Sequence, residues 1–194
     1  MVDKKIQIIQ AAIEVFAKKG LERGKIADIA LQAGIGKGTI YEYFKSKDEI
    51  FQAIENMFIQ DTIDQLHNIA NSNNTPTEKI EVISRISLDL HEQMGESVIL
   101  ISELWAQHSR GQLHGHSSSF FSDMYNDYYK IVSNIFKEGV ARGEFRKMNV
   151  EGVTTMLLGM IDGVIWQSVI FKNSEAFNKR KKEAIKSFMN GIKK

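Results

Sequence analysis

The chain has 194 residues and no cysteine: enough length for a small and a medium domain with buried cores, and no disulfide, thiolate metal site or cysteine nucleophile. Its composition, 43% hydrophobic and 25% charged, is that of a soluble globular protein; it lacks the ~18 uninterrupted apolar residues of a membrane span and a signal-peptide core, so a cytoplasmic location is expected. The net charge of +1 is uneven, with nine Lys/Arg against seven Asp/Glu over 1–50, nine against sixteen over 51–178 and seven against one over 179–194, so the acidic middle is a poor surface for nucleic acid and the basic end suits a helix C-terminus.

One proline and few alternating β-branched residues predict an all-α chain. A first helix, about Asp3 to Lys19, carries Ile9, Ala12, Ile13 and Phe16 on one stripe. A second, Ile26 to Ala33, places Ile26, Ile29, Ala30 and Ala33 at helical spacing. The break Gly34-Ile35-Gly36 lets the chain reverse, because glycine tolerates positive φ. A third helix, about Lys37 to Phe44, turns Ile40 and Phe44 inward and leaves Lys37, Thr39, Glu42 and Tyr43 outward. Two short helices with a glycine turn and an exposed polar face on the second form the helix-turn-helix pattern, in which the second helix enters the DNA major groove; an ordinary αα-hairpin reads the same way.

Ser46 and Glu49 are spaced as a capping box opening a fourth helix that runs from Lys47 to about Ala70. After the loop Asn71–Asn74, Thr75-Pro76-Thr77-Glu78 sets a cap, a first-turn proline and an N3 acid for a fifth helix ending at Gly95. A sixth helix is expected over Ser97–Ser109, a flexible break over Gly111–Ser118, a seventh helix over Ser119–Ala141, an eighth over Val150–Phe171 and a ninth over Ser174–Gly191. The eighth is apolar nearly all the way round and must be covered on several sides. Pairing of the last two helices with a second copy would cover it, and two recognition helices related by a two-fold would read a palindrome. Gly159 and Gly163 would permit close approach. The expected interface residues are Val153, Leu157, Ile161, Val164, Ile165, Ile185 and Phe188.

The run A-A-I-E-V-F-A-K-K-G followed by D-I-A-L-Q-A-G-I-G-K-G-T-I-Y-E-Y-F-K-S-K-D-E-I-F resembles the DNA-binding domain of the TetR family of bacterial repressors, without a gap from about residue 6 to 54. The resemblance implies an N-terminal three-helix domain with a helix-turn-helix over 1–46 and a C-terminal helical domain for ligand binding and dimerisation over 47–194. It also implies a homodimer formed by the last two helices and a double-stranded DNA operator as partner. By family position and by residue chemistry the DNA-binding candidates are Lys25, Lys37, Gly38, Thr39, Tyr41, Tyr43 and Lys47. Lys37 and Thr39 begin the recognition helix and suit base edges. Gly38 would permit close backbone approach, and Tyr41, Tyr43 and Lys47 suit phosphates. The chain departs from the family at two places. Gly24-Lys25 stands where a hydroxyl residue usually caps the second helix, a loss of ~1 kcal/mol, and Gly36 stands where serine is common.

Met94, Leu104, Trp105, Phe120, Phe121, Met124, Tyr125, Tyr128, Met156, Met160 and Trp166 are individually ordinary core residues, but as a set they fit an adaptable apolar cavity. The resemblance implies that this cavity takes a small effector, here an apolar one, which shifts the dimer away from the DNA-binding state. Glu103, Asp127 and Asp162 would favour a cation if buried and are expected at the surface. His108, His114 and His116 complete no metal-ligand spacing, so no metal and no cofactor is expected. No catalytic motif is present, so an enzyme is not expected. A dimeric, effector-released repressor is the leading reading, with an effector-independent regulator or activator as the alternative.

Overall fold

The computed structural model describes residues 3–94, 97–114, 120–171 and 174–194, whose side chains are described except at 59, 89–94, 97–99, 101, 104, 107, 112–114, 120, 121 and 169. The described structure is helical: α1 (Lys4–Lys19), α2 (Ile26–Ala33), α3 (Lys37–Tyr43), α4 (Lys47–Ala70), α5 (Pro76–Met94), α6 (Ser97–His114), α7 (Phe120–Ala141), α8 (Val150–Phe171) and α9 (Glu175–Ile192). One antiparallel bridge joins Phe145 and Lys193.

Local chemistry sets the boundaries. Asp3 caps α1 by accepting from the Lys5 N–H, and Ser174 caps α9 by accepting from the Phe177 N–H. At α5 the capping box is complete: Thr75 Oγ1 accepts from the Glu78 N–H at 3.2 Å, and the Glu78 carboxylate accepts from the Thr75 N–H at 2.8 Å. At α4 it is shifted by one residue. Ser46 Oγ accepts from the Glu49 N–H, but the Glu49 carboxylate takes the Lys45 N–H instead of that of Ser46. The helix expected to end at Ser109 continues to His114, through Gly111. The remainder of the expected break, 115–118, lies outside the described residues.

The helices sort into two compact units. The first holds α1, α2, α3, α4 as far as Asp61, and α6. The second holds α4 from Thr62, nearly all of α5, and α7 to α9. The expected division at 46/47 follows chain order, whereas the compact units do not, because α6 packs on α1. The core of the first unit joins Ile8, Ala12 and Phe16 of α1 to Ile29 of α2, Ile40 of α3, Phe44, Ile50 and Ile54 of α4, and Leu100 of α6. Each such Ile, Leu or Phe side chain contributes ~1.5–3 kcal/mol on burial.

The core of the second unit gathers Leu66, Ile80, Ile83, Leu88, Val132, Phe136, Phe145, Leu157, Ile161, Phe177 and Met189. Phe145 meets the Phe136 ring edge-on at 5.7 Å. It enters the core because α7 ends in a left-handed glycine, Gly143 at φ 73, with the Glu144 N–H returning to the Gly139 carbonyl. Gly139 lies beneath that ring, and a Cβ there would stand 2.2 Å from Phe145 Cδ2. Gly139→Ala is therefore expected to lower the stability of the second unit by roughly 1–3 kcal/mol through overpacking, read as a reduced urea midpoint. An unchanged midpoint would show that the Phe145 ring moves aside freely.

Candidate nucleic-acid interface and effector-domain residues

The recognition surface is built from behind. The turn after α2 closes on Gly34, left-handed at φ 63, with the Gly34 N–H donating to the Leu31 carbonyl and the Ile35 N–H to the Ala30 carbonyl. Gln7 of α1 donates to the Ala33 carbonyl at 2.7 Å and fastens the end of α2. On α3, Ile40 is fully buried and Phe44 follows it into the core. Lys37, Gly38 and Glu42 are thereby exposed, Tyr41 and Tyr43 are 48% and 40% exposed, and Thr39 is half-buried. The Lys37 ammonium lies over the Tyr41 ring at 5.8 Å. Gly38 meets nothing: a Cβ there would find no atom within 4 Å. A helical glycine costs ~1 kcal/mol against alanine, and no contact of the first unit requires one here.

Two of the DNA-binding candidates, Lys25 and Lys47, are placed differently from each other. Lys25 is exposed and makes no side-chain cap. Its backbone N–H goes to the Asp28 carboxylate at 3.1 Å, which also pairs with Lys19 at 2.8 Å. The hydrogen bond from Lys19, then that from the Lys25 backbone, hold the Asp28 carboxyl below its ordinary range. Lys47, expected at a phosphate, donates to the Leu21 carbonyl at 2.8 Å and the Glu22 carbonyl at 3.2 Å. Its ammonium ties the α1–α2 connector to the start of α4. Glu103 of α6, expected at the surface, is half-buried and accepts from the Leu21 N–H at 3.0 Å. Sequence spacing carries no signal for this contact, which joins residues 82 apart. Leu31, a position not singled out from sequence, is 84% exposed on α2.

The residues expected to line an effector cavity fall in both units. Trp105 is half-buried on α6 in the first. Met124, Tyr125, Tyr128, Met156, Met160 and Trp166 belong to the second, and the side chains of Met94, Leu104, Phe120 and Phe121 lie outside the described residues. Within the second unit Met124 and Tyr125 are half-buried, Tyr128 is buried and Met160 packs against the core. Met156 and Trp166 are corrected: they are 66% and 43% exposed, on the side of α8 turned away from its own core. The reverse correction applies to part of the expected dimer interface. Leu157, Ile161 and Val164 are buried in the core of their own unit, and Val153, Ile165, Ile185 and Phe188 pack against it. The apolar face that α8 leaves open is instead Met156, Gly159, Gly163, Trp166 and Ile170, spaced three and four apart along one stripe.

Asp162 is also corrected. It is half-buried and accepts from the Tyr125 hydroxyl at 3.0 Å. Burial raises its carboxyl above the ordinary range, against the lowering effect of that hydrogen bond. Burial, then the Asp162 charge, raises the Tyr125 phenol. Tyr128, hydrogen-bonded to Ser87 of α5 at 3.1 Å, is pushed up to about 12, chiefly by burial. Asp127 is exposed and pairs with Lys130. Among the described residues no group of three His, Asp or Glu side chains could hold a metal ion, and no described helix is long and apolar enough to cross a membrane. The side chains of His114 and His116 lie outside the described residues; His108 is half-buried.

A trihelical unit that sets its third helix polar side out, on a buried Ile40–Phe44 base, defines a helix-turn-helix DNA-binding protein. Residues 8–54 match the tetR family of bacterial regulatory proteins, and residues 83–182 match a tetracyclin repressor-like C-terminal domain. The chain belongs to that family and is a DNA-binding transcriptional regulator. It is 28% identical over 164 residues to the fatty acid metabolism regulator protein of Bacillus subtilis, spanning 84% of this chain and 81% of that one. Its fold is shared with the Bacillus subtilis transcriptional regulator FadR solved with stearoyl-CoA, at TM-score 0.74, 24% identity and coverage of 96% and 98%. It is likewise shared with the ketosteroid regulator KstR2 of Mycobacterium tuberculosis, at TM-score 0.73, 21% identity and coverage of 100% and 97%.

The raised carboxyl of Asp162 has a definite pH signature. The folded state favours its protonated form, so its stabilising contribution is full below the unfolded-chain pKa of ~3.9 and is lost as pH rises through the higher folded value. Asp162→Asn keeps an acceptor for the Tyr125 hydroxyl and removes the charge. The variant is expected to exceed the parent in urea midpoint at neutral pH, with the advantage shrinking towards pH ~4. The same advantage at both pH values would show that the carboxylate charge is not the cause.

Proposed function

We propose that the chain is a homodimeric repressor that holds a palindromic operator through α3 and is released from it by a small apolar effector. In this reading 1–46 reads DNA, and 47–194 binds the effector and dimerises. The observation that carries it is the outward face of α3, where Lys37, Gly38, Tyr41 and Tyr43 stand exposed on a rigid base. Gly38, open on all sides, suits a backbone that approaches a phosphate or a base edge. The open α8 stripe supports the dimer, since Met156, Trp166 and Ile170 expose an apolar surface that a monomer would leave in water. Its glycines at 159 and 163 have room for a close neighbour. The names of the relatives, a fatty acid regulator, a stearoyl-CoA complex and a ketosteroid regulator, support an apolar effector. Release follows if that ligand prefers the state whose two recognition helices are wrongly spaced. A cytoplasmic location accords with this role.

Selection of bound sequences from a random duplex library, followed by affinity measurement, tests the DNA reading. Lys37→Ala and Thr39→Ala are expected to relax base preference by about 1–3 kcal/mol at one position each. Lys47→Ala, which frees the Leu21 and Glu22 carbonyls, is expected to weaken all sequences alike. Equal losses across sequences for all three variants would remove the base-reading role of Lys37 and Thr39.

The α8 stripe gives a separate prediction. Met156→Glu with Ile170→Glu places two carboxylates on the proposed interface while leaving the buried Leu157, Ile161 and Val164 in place. Sedimentation is expected to show a folded monomer with strongly reduced operator affinity. A dimer that survives both substitutions would place the interface elsewhere.

A further inference from the structure

In the second unit a cleft with a volume of about 920 Å³ lies between α5 and α9. Its floor is apolar: Leu88, Ile185 and Met189, with Leu88 and Met189 almost fully buried. Lys181 of α9 and Lys193, just after that helix, bridge it to α5. The Lys181 ammonium, itself buried, donates to the Leu88 carbonyl at 3.2 Å, and Lys193 pairs with Glu81 at 2.8 Å. The cleft is therefore a fixed opening between two braced helices.

Its charge is one-sided. Two carboxylates line it, and both are engaged: Glu81 by Lys193, and Glu78 by the Thr75 N–H in the α5 capping box. On the rim stand Arg85, Lys182 and Lys186, all exposed. Among the described residues, none of these three cations has a carboxylate partner within ion-pair distance. Three cations without an ion-pair partner among the described residues, above an apolar floor, present the two halves of an amphipathic anion site: a basic rim for the charged group and a dry base for the body. Solvated surface lysines alone would not form a walled volume, and here the volume and the cations coincide.

We propose that the α5–α9 cleft binds a small organic anion with an apolar body, its charged group held by Arg85, Lys182 and Lys186 and its body lying on Leu88, Ile185 and Met189. The site is independent of the effector reading above. Ser87, the neighbour of Leu88, carries the hydrogen bond to Tyr128, so an occupant of the cleft bears on the helix that also contacts the Tyr128 side of the unit.

The test uses the full chain, with naphthalene-2-sulfonate as the anionic probe and naphthalene-2-sulfonamide as its neutral counterpart, in calorimetric titrations at low salt. A variant carrying Arg85→Gln, Lys182→Gln and Lys186→Gln changes only exposed side chains, and its melting temperature is checked against the parent. The sulfonate is expected to bind the parent at least about tenfold more tightly than the sulfonamide, and the triple variant is expected to lose that preference, a change worth about 1.4 kcal/mol. Three results would each overturn the proposal: equal affinity of the two probes for the parent, an undiminished sulfonate preference in the variant, or absence of sulfonate binding. If the substitutions instead change the sedimentation of the ligand-free protein, the cleft is occupied by a second copy. If they lower affinity for every duplex alike, its cations serve DNA. Either outcome also excludes the small anion.

Discussion

The backbone of Leu21 is held on both sides. Its N–H is taken by the Glu103 carboxylate of α6, and its C=O by the Lys47 ammonium at the start of α4. Charge-assisted hydrogen bonds of this kind are stronger than neutral ones, and here they fasten the connector that decides where α2 begins. Three residues on, Gly24 passes so close to Phe16 that a Cβ would stand 2.6 Å from the ring. Glycine is therefore the residue this packing demands at position 24. The N-cap itself is the next residue, Lys25, which has no capping oxygen, and Asp28 takes the Lys25 N–H from within the first turn. The charge of Asp28 lies at the helix N-terminus, where it is favoured. The orientation of α2, and through the Gly34 turn that of α3, rests on this chain of contacts.

Much of the first unit was legible because local rules and burial agree there. The apolar spacing of Ile29, Ala30 and Ala33, the glycine turn and the Ile40–Phe44 pair each specify the same arrangement. The α2 and α4 bounds emerge as the periodicity predicts. What the pattern misses is long-range and polar. Nothing in the spacing of Lys47 or Glu103 reveals a shared partner at Leu21, because a side chain that ends on a backbone carbonyl or N–H leaves no covarying letter in a single sequence. Lys47 reads equally well as a phosphate ligand until its ammonium is seen on two carbonyls. The sixth helix illustrates the opposite limit: Gly111 suggests a break, but a single glycine costs ~1 kcal/mol, which the helix absorbs as it continues to His114.

In the second unit, α8 was legible as a helix and not as a set of faces. Its residues are apolar on every side, so the period that normally separates core from surface is absent. Assignment of Leu157, Ile161 and Val164 to a partner surface, and of Met156 and Trp166 to an interior, inverted the two sides. The packing decides between them: Ser133 of α7 meets Thr154 of α8 at 3.1 Å in a buried hydroxyl pair, and Tyr125 meets Asp162. These two contacts fix which side of α8 faces α7. The stripe through Met156, Gly159, Gly163, Trp166 and Ile170 is then left on the other side by rotation alone.

Polar groups in this apolar unit are placed in pairs, as burial requires. Tyr125 with Asp162, Tyr128 with Ser87, and Ser133 with Thr154 each satisfy a hydroxyl that would otherwise be costly. The Tyr125–Asp162 pair differs from the other two because one member is a half-buried carboxyl whose ionised form burial disfavours, a desolvation cost that a neutral pair avoids. A core selected only for stability gains more from two neutral residues at these positions. A half-buried carboxylate beside two tyrosine hydroxyls disfavours a second anion there. The α5–α9 cleft has the opposite preference, because among the described residues its rim cations have no ion-pair partner. Helix α5 carries Ser87 to the first environment and Leu88 to the second. Ser87 and Leu88 are adjacent on one helix, so α5 joins the Tyr128 hydroxyl contact directly to the wall of the cleft.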